Sequence, residues 1–550
     1  MRNLLGGSAA VLLGLAAFFV FAGWWVLIPT NIAWLNYGDR AMHTLGWFFY
    51  RDGPWAVPPG ASPDLGLELA SSVAIADGLP LFAIPFKLLA PWLPHPFQYW
   101  GYWWLACFVL QSLFTYGFAR QLGASRAVAL FAAGFALITP AFLFRVSLHM
   151  ALAGHWTILA ALYLYARRIP PPLWAWPLLL ALTAAIHAYL FAICLGLWVA
   201  AYVQRLWLRR LPARNSVAEP ILLASLSGVV LWTGGFFVIS SIGIPGFGFY
   251  RLNPLWPVIT YDVWSKLIPS LPHGLYDYEG LGWLGIGIFA ALLVATVTGA
   301  LARLTRLATP RWLPLMVMTL AMAIFALSNV IGPLDLQAPP LPLNPLWEIA
   351  GNTLRSSGRF VWPLLYIVTI GAVVLAASRL GPRLSVPLLA VALAAQVADS
   401  SGGWSLFRST MPSPSSTWST PLVSPFWARV PVAGYTRIRA IPVAAYRAKD
   451  WQALETYAYV QHMQTDAVYL GRLDEAAREA LIRADETALT TGSFELKTLY
   501  ILDEASARRA ARQLAPKDLL TLVDGRYVFA RNGAQLVDGL SLPPQVSFTG

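Results

Sequence analysis

Long apolar runs recur along the first 400 residues of this chain, and most approach the length needed to cross a bilayer. A span needs about 20 apolar residues in helical form. The runs fall at roughly 9–29, 97–119, 127–144, 152–166, 172–187, 188–204, 218–241, 283–301, 312–331, 360–378 and 384–399. They predict an all-α polytopic membrane protein with about 11 transmembrane helices. The stretch 172–204 is too long for one span and is split near His187 into a tight hairpin. The stretch 79–93 is short, holds Lys87 and three prolines, and reads as an interfacial or re-entrant helix. The first run has no small-residue cleavage site after it, so it reads as a retained span rather than a signal peptide.

Composition agrees. The chain is 57% hydrophobic and only 12% charged, with 25 Trp and 21 Tyr, more apolar surface than a soluble fold can hide. The net charge of +12 reads as a topology signal rather than a nucleic-acid footprint. With the N-terminus inside, the short inner loops collect Arg120, Arg126, Arg167, Arg168, Arg205, Arg209, Arg210, Arg214, Arg303, Arg306, Arg311, Arg379 and Arg383, while the longer outer segments carry fewer cations. Cys107 and Cys194 fall in apolar runs and suggest neither a disulfide framework nor a metal motif.

That topology puts nearly all acids and histidines before residue 400 on the outer side. Three outer segments, 30–96, 242–282 and 332–359, are long and rich in Gly, Pro and aromatics, a pattern of functional loops. After Asp399 a Pro/Ser-rich stretch reads as a linker, 401–424. From 425 to 550 acidic and basic residues nearly balance, and the chain reads as a soluble α/β domain on the outer side. Its expected strands are Tyr435–Val443, Ala467–Leu470, Thr498–Leu502 and Leu519–Val528. Its expected helices are Asp450–Gln461, Asp474–Ala488 and Glu504–Leu514, with Asp474 and Asp503 near the N-caps.

The outer segments carry the candidate chemistry. Asp39 follows Gly38 just past the first run; it suits a general base, a ligand for a divalent cation (Mg or Mn), or a helix N-cap. His43 lies one helical turn further on. Glu68 and Asp77 join Asp39 if the loop folds back, or else cap helices; Asp77 is the second candidate metal ligand. Arg51 and Asp52 read as an exposed ion pair. Arg145, His149 and His155 share a short outer loop and suit a phosphate or pyrophosphate, or lipid headgroups. Arg355 and Arg359 precede the tenth run, where amides and cations make an anion site. Glu279 leads into the eighth run and either binds a hydroxylated substrate or caps a helix.

Together, Gly38-Asp39, His43, Gly46-Trp47, Gly66-Leu67-Glu68, Ser71-Ser72, Asp77, Gly154-His155-Trp156, Tyr278-Glu279-Gly280 and Ser357-Gly358-Arg359-Phe360 resemble an uncharacterised bacterial multi-pass membrane family grouped with the GT-C glycosyltransferases. The resemblance covers roughly 9–400 and extends loosely into the tail. It implies a membrane domain over 1–400 whose large first outer loop, 30–96, carries interfacial helices. It also implies transfer of a sugar from a polyprenyl-phosphate donor on the periplasmic face of the bacterial inner membrane. In such enzymes an acid of the first outer loop is the recurring catalytic or metal-binding residue, and Asp39 is the matching position; His43 and Glu68 are its expected helpers. Arg145, His149, His155, Glu279, Arg355 and Arg359 are the expected substrate contacts. The second-domain acceptor motif of oligosaccharyltransferases is missing. The expected partners are a lipid-linked sugar, membrane lipids and a glycan, lipid or protein acceptor, with no nucleic acid. The alternative is a transporter or flippase of lipid-linked glycans; the runs, however, hold no Asp, Glu, Lys or Arg near their centres and show no internal repeat.

Overall fold

The computed structural model describes residues 2–239, 246–443, 447–546 and 548. The chain divides into two compact units. One comprises Met1–Trp34, His95–Val230 and Gly243–Pro414; the other comprises Leu35–Pro94, Leu231–Ile242 and Ser415–Gly550.

The first unit is helical. Among the described residues, Ala188–Trp207, Ala213–Thr233, Ser357–Ala377 and Pro382–Ser409 are long and apolar enough to cross a membrane. A fifth crossing arises if Arg126–Leu137 and Pro140–Ser147, bent by 46°, count as one. The bend falls at Pro140, which opens the second piece and has no N–H to continue the ladder of the first. Gly6–Phe21, Met150–Ala166, Ala175–Ile186, Ile286–Val297 and Leu313–Leu327 are shorter apolar helices. The expected run 218–241 and outer segment 242–282 meet at 240–245, which lie outside the described residues. The hairpin break falls at His187, whose backbone is extended and whose Nδ1 accepts the Tyr189 N–H at 3.1 Å.

The Trp100–Gln121 helix packs against Arg2–Phe21, Arg126–Leu137 and Trp156–Ala166. It buries Trp103, Trp104, Cys107 and Phe108 together with the polar Gln111, Ser112 and Thr115, each bonded. Gln111 donates to the Tyr366 hydroxyl at 2.7 Å, and Ser112 donates to the Ala10 carbonyl at 2.7 Å. Unbonded, each would carry a penalty of a few kcal/mol in so apolar a place. The last helix continues past the expected end near Asp399 to Ser409. Asp399 lies inside it, accepting from the Ser265 hydroxyl and the Lys266 and Leu267 amides. The expected linker is therefore helical over its first third.

The second unit is built around a five-stranded sheet, ordered β2-β1-β3-β5-β4. The strands are β1 (Arg437–Ile441), β2 (Gln464–Thr465), β3 (Thr498–Leu502), β4 (Leu519–Val523) and β5 (Arg526–Ala530). β1 runs parallel to β2 and β3; β5 runs antiparallel to β3 and β4. Two expectations need correcting. Ala467–Leu470 forms no strand, and the pairing moves to Gln464–Thr465. Leu519–Val528 is a hairpin of two strands, because Asp524 and Gly525 both take positive φ (45° and 77°), the geometry of a tight two-residue turn. Asp474 and Asp503 do cap their helices, accepting from the Ala477 and Ser506 amides.

The segment 30–96, expected as a large loop of the 1–400 domain, contributes to this unit: Leu35–Pro94 packs with the tail. The Gly66 amide donates to the Thr465 carbonyl at 2.8 Å, and the Thr465 amide donates to the Asp64 carbonyl at 3.1 Å, which extends the sheet edge at β2. Phe49, Leu65, Leu69 and Ala76 from the loop share one core with Phe426, Trp427, Ile438 and Leu454 from the tail. At roughly 1.5–3 kcal/mol per buried large apolar side chain, this shared core is a major stabilising term for both segments. Arg51 is buried rather than exposed and donates to the Pro94 carbonyl at 2.9 Å.

Candidate functional site

The Gly38–Asp52 helix begins after Tyr37, whose extended backbone makes it the N-cap, without a side-chain bond. Asp39 is therefore not the cap. It sits in the first helical turn, where backbone N–H groups favour a carboxylate. Half-buried, Asp39 accepts at Oδ1 from the Tyr469 hydroxyl at 3.1 Å. The tail supplies the surroundings. The Tyr469 ring packs edge-to-face on Trp451 at 5.2 Å, and the Arg447 guanidinium lies 5.6 Å from the Tyr469 ring centre. Gln452 bonds the side-chain oxygen of Asn36. Beneath them Glu455 is buried, and burial pushes its carboxyl well above the usual range, against the pull of the Tyr469 amide. Anion, phenol, indole, amides and guanidinium thus converge on one small area of this unit.

Two other candidate acids of the first loop, Asp77 and Glu68, take partners of their own. His43, fully buried, pairs at Nε2 with Asp77 at 3.7 Å. Glu68 is exposed and forms a two-pronged pair with Arg439 of β1 at 2.6 and 3.0 Å. Partial desolvation of the Glu68 carboxyl against the sheet opposes its ionisation, but the Arg439 bonds prevail and hold it below its ordinary range. Arg439 is also held by Asp466 at 2.9 Å, so the helper role expected of Glu68 gives way to anchoring the loop on the sheet. A divalent cation fits poorly. Among the described residues no three of His, Cys, Asp and Glu come together as a metal group.

In the helical unit, Arg145, His149, Glu279 and Arg359 come together. Arg145 donates to the Glu279 carboxylate at 2.9 Å and Arg359 at 2.6 Å; His149 Nδ1 lies 3.1 Å from Arg145. All three charged groups of the trio are buried. Burial opposes ionisation of Glu279, but the two guanidiniums outweigh it and hold the carboxyl well below the usual range. Local backbone makes this possible. The turn Ser357–Val361 packs directly on the turn Asp277–Gly280, and a Cβ at Gly358 would stand 2.8 Å from the Gly280 nitrogen. Two of the three candidate arginines, Arg145 and Arg359, thus meet on the Glu279 carboxylate. Arg355 instead lies over the Tyr250 ring at 5.8 Å. His155 is enclosed, its Nδ1 2.8 Å from the Tyr366 hydroxyl and its ring 4.1 Å from that of Trp362; it sits in a core network, not at a mouth.

Tyr469, Trp451, Arg447 and Gln452 were not singled out in the sequence. Their one visible signal was an aromatic-rich stretch in a tail that lacks any catalytic motif. Residues 11–401 match the model of a family described as a domain of unknown function (DUF6311), and residues 426–531 match a second model, described as the DUF6311 C-terminal domain. No curated protein matches the chain.

Proposed function

The chain belongs to the DUF6311 family, and we propose that it is a GT-C-like membrane glycosyltransferase. It moves a sugar from a polyprenyl-phosphate donor to an envelope acceptor, whether lipid, polysaccharide or protein. In this reading the eleven apolar runs all cross the bacterial inner membrane, the N-terminus is cytoplasmic, and Asp39 and the tail are periplasmic. The observation that carries the proposal is the Asp39–Tyr469 hydrogen bond. It holds a carboxylate in one orientation beside aromatic and amide groups suited to a sugar.

Asp39 takes the proton of the acceptor hydroxyl as that oxygen bonds to the anomeric carbon. The bond from the anomeric carbon to the donor's phosphate oxygen breaks, and the lipid phosphate departs with the electron pair. Asp39 then releases its proton to water. Within the helical unit, the Arg145–Glu279–Arg359 trio keeps one net positive charge, which suits it to an anion. The test is transfer from a polyprenyl-phosphate sugar by purified wild type and Asp39→Asn. Equal rates would remove Asp39 from the mechanism.

One observation favours the alternative of a transporter or flippase of lipid-linked glycans. The buried chain Gln111–Tyr366–His155 runs inside the helical unit, and enclosed ionisable residues in membrane bundles commonly mark transport paths. Glycolipid movement in proteoliposomes without any transfer would favour that reading.

A further inference from the structure

The helical unit holds a second polar feature, independent of the proposed transfer reaction. Segments 164–171 and 201–210 border a small recess, about 10 Å³, that opens to solvent. Its walls include Tyr165, Arg167, Arg168, Gln204, Arg205 and Arg210, and no Asp or Glu. The wall is tied together at one point. The Tyr165 hydroxyl and the Gln204 amide both donate to the Arg311 carbonyl, at 2.9 and 2.7 Å, while Arg311 donates to the Ala166 carbonyl at 2.9 Å.

The charges are uneven. Arg205 is buried and satisfied by Glu219 at 2.6 and 2.8 Å. Arg168 and Arg210 are exposed, and Arg210 reaches over to the Arg168 carbonyl at 3.4 Å. Burial holds the Arg311 guanidinium below its ordinary value, and the charges of Arg168 and Arg210 depress it further. Cations crowded together without a carboxylate in the recess wall are stabilised by an anion with several acceptor oxygens, and guanidinium matches phosphate in two-pronged geometry. The surroundings are apolar: Ile169, Trp174, Leu206 and Trp207 are all exposed, the pattern of an interfacial belt.

We propose that this recess is a phosphate-binding site that takes the headgroup of an anionic lipid, with Arg167, Arg168 and Arg210 as its donors. Basic pockets between membrane helices bind such headgroups by the same chemistry.

The test uses the full chain in nanodiscs of phosphatidylcholine with or without phosphatidylglycerol, and reads retained phosphatidylglycerol by native mass spectrometry. Arg168→Ala/Arg210→Ala should weaken retention by at least tenfold, since losing a hydrogen bond to a charged group costs roughly tenfold or more. The charge-matched control Arg379→Ala/Arg383→Ala, outside the recess, should retain the lipid like the wild type. A second arm titrates inorganic phosphate in neutral detergent. A thermal shift in wild type that Arg168→Ala/Arg210→Ala lacks, without lipid preference, supports the phosphate chemistry and assigns a soluble source. Equal lipid retention and equal phosphate response in wild type and Arg168→Ala/Arg210→Ala overturn the site. So does equal loss of lipid in the control. Should the double variant fail to fold, Arg168→Gln and Arg210→Gln taken singly are read by the same comparison.

Discussion

The Tyr469 hydroxyl donates to the Asp39 carboxylate at 3.1 Å across 430 positions of sequence. The acid of the Leu35–Pro94 segment is thus oriented by the tail. A tail that holds a loop acid in place is more than an appendage, and its removal should alter the chemistry of Asp39 as well as stability.

Asp39→Asn should lower the transfer rate by roughly 10²–10⁴, the range for loss of a general base. Tyr469→Phe keeps the carboxylate and removes a bond to a charged acceptor worth about 1.5–3 kcal/mol. Its kcat/KM should fall by roughly 10- to 100-fold while the protein still folds. A Tyr469→Phe enzyme as active as wild type would show that the bond has no catalytic role.

Glu279→Gln should unfold the helical unit readily. It leaves the buried Arg145 and Arg359 guanidiniums without their shared counter-charge, a defect that costs about 3–5 kcal/mol when a buried pair is broken. Thermal unfolding in detergent measures it. Full stability with selective loss of donor binding would instead assign Glu279 to the substrate.

Glu455 sets a pH dependence. In the unfolded chain its carboxyl ionises near 4.5, whereas burial keeps it protonated to well above that in the fold. Over the interval between, the folded state holds the extra proton, so stability falls as pH rises. The penalty is absent below about pH 4.5 and grows as pH climbs toward the displaced value. Glu455→Gln should therefore melt higher than wild type at pH 8 and alike at pH 4. Asp485, pushed up to about 7 chiefly by burial, acts in the same direction. Melting curves that separate equally at both pH values would count against this origin.

Reporter fusions after Ser413 and within Arg209–Asn215 should report opposite compartments. The crowding of arginines into short loops on one side motivates this. The same compartment for both would overturn the topology.

Apolar run length and arginine distribution were readable without a fold, because bilayer thickness and backbone hydrogen bonding act on each segment locally. The break at His187, the Asp474 and Asp503 caps and the strand Thr498–Leu502 were legible for the same reason: a helix or strand end depends on residues within a few positions of it. Asp39 stood out through its place beside the first run. What tertiary structure alone decided was every partnership across long sequence distance: Tyr469 on Asp39, Arg439 on Glu68, and Arg145 and Arg359 on one Glu279. A lone carboxylate reads alike as cap, base or ion-pair partner, since burial and neighbours choose among these and neither is encoded near it in sequence. The folding of Leu35–Pro94 with the tail was likewise hidden, because short apolar patches in two segments reveal their shared core only once the chain has brought them together.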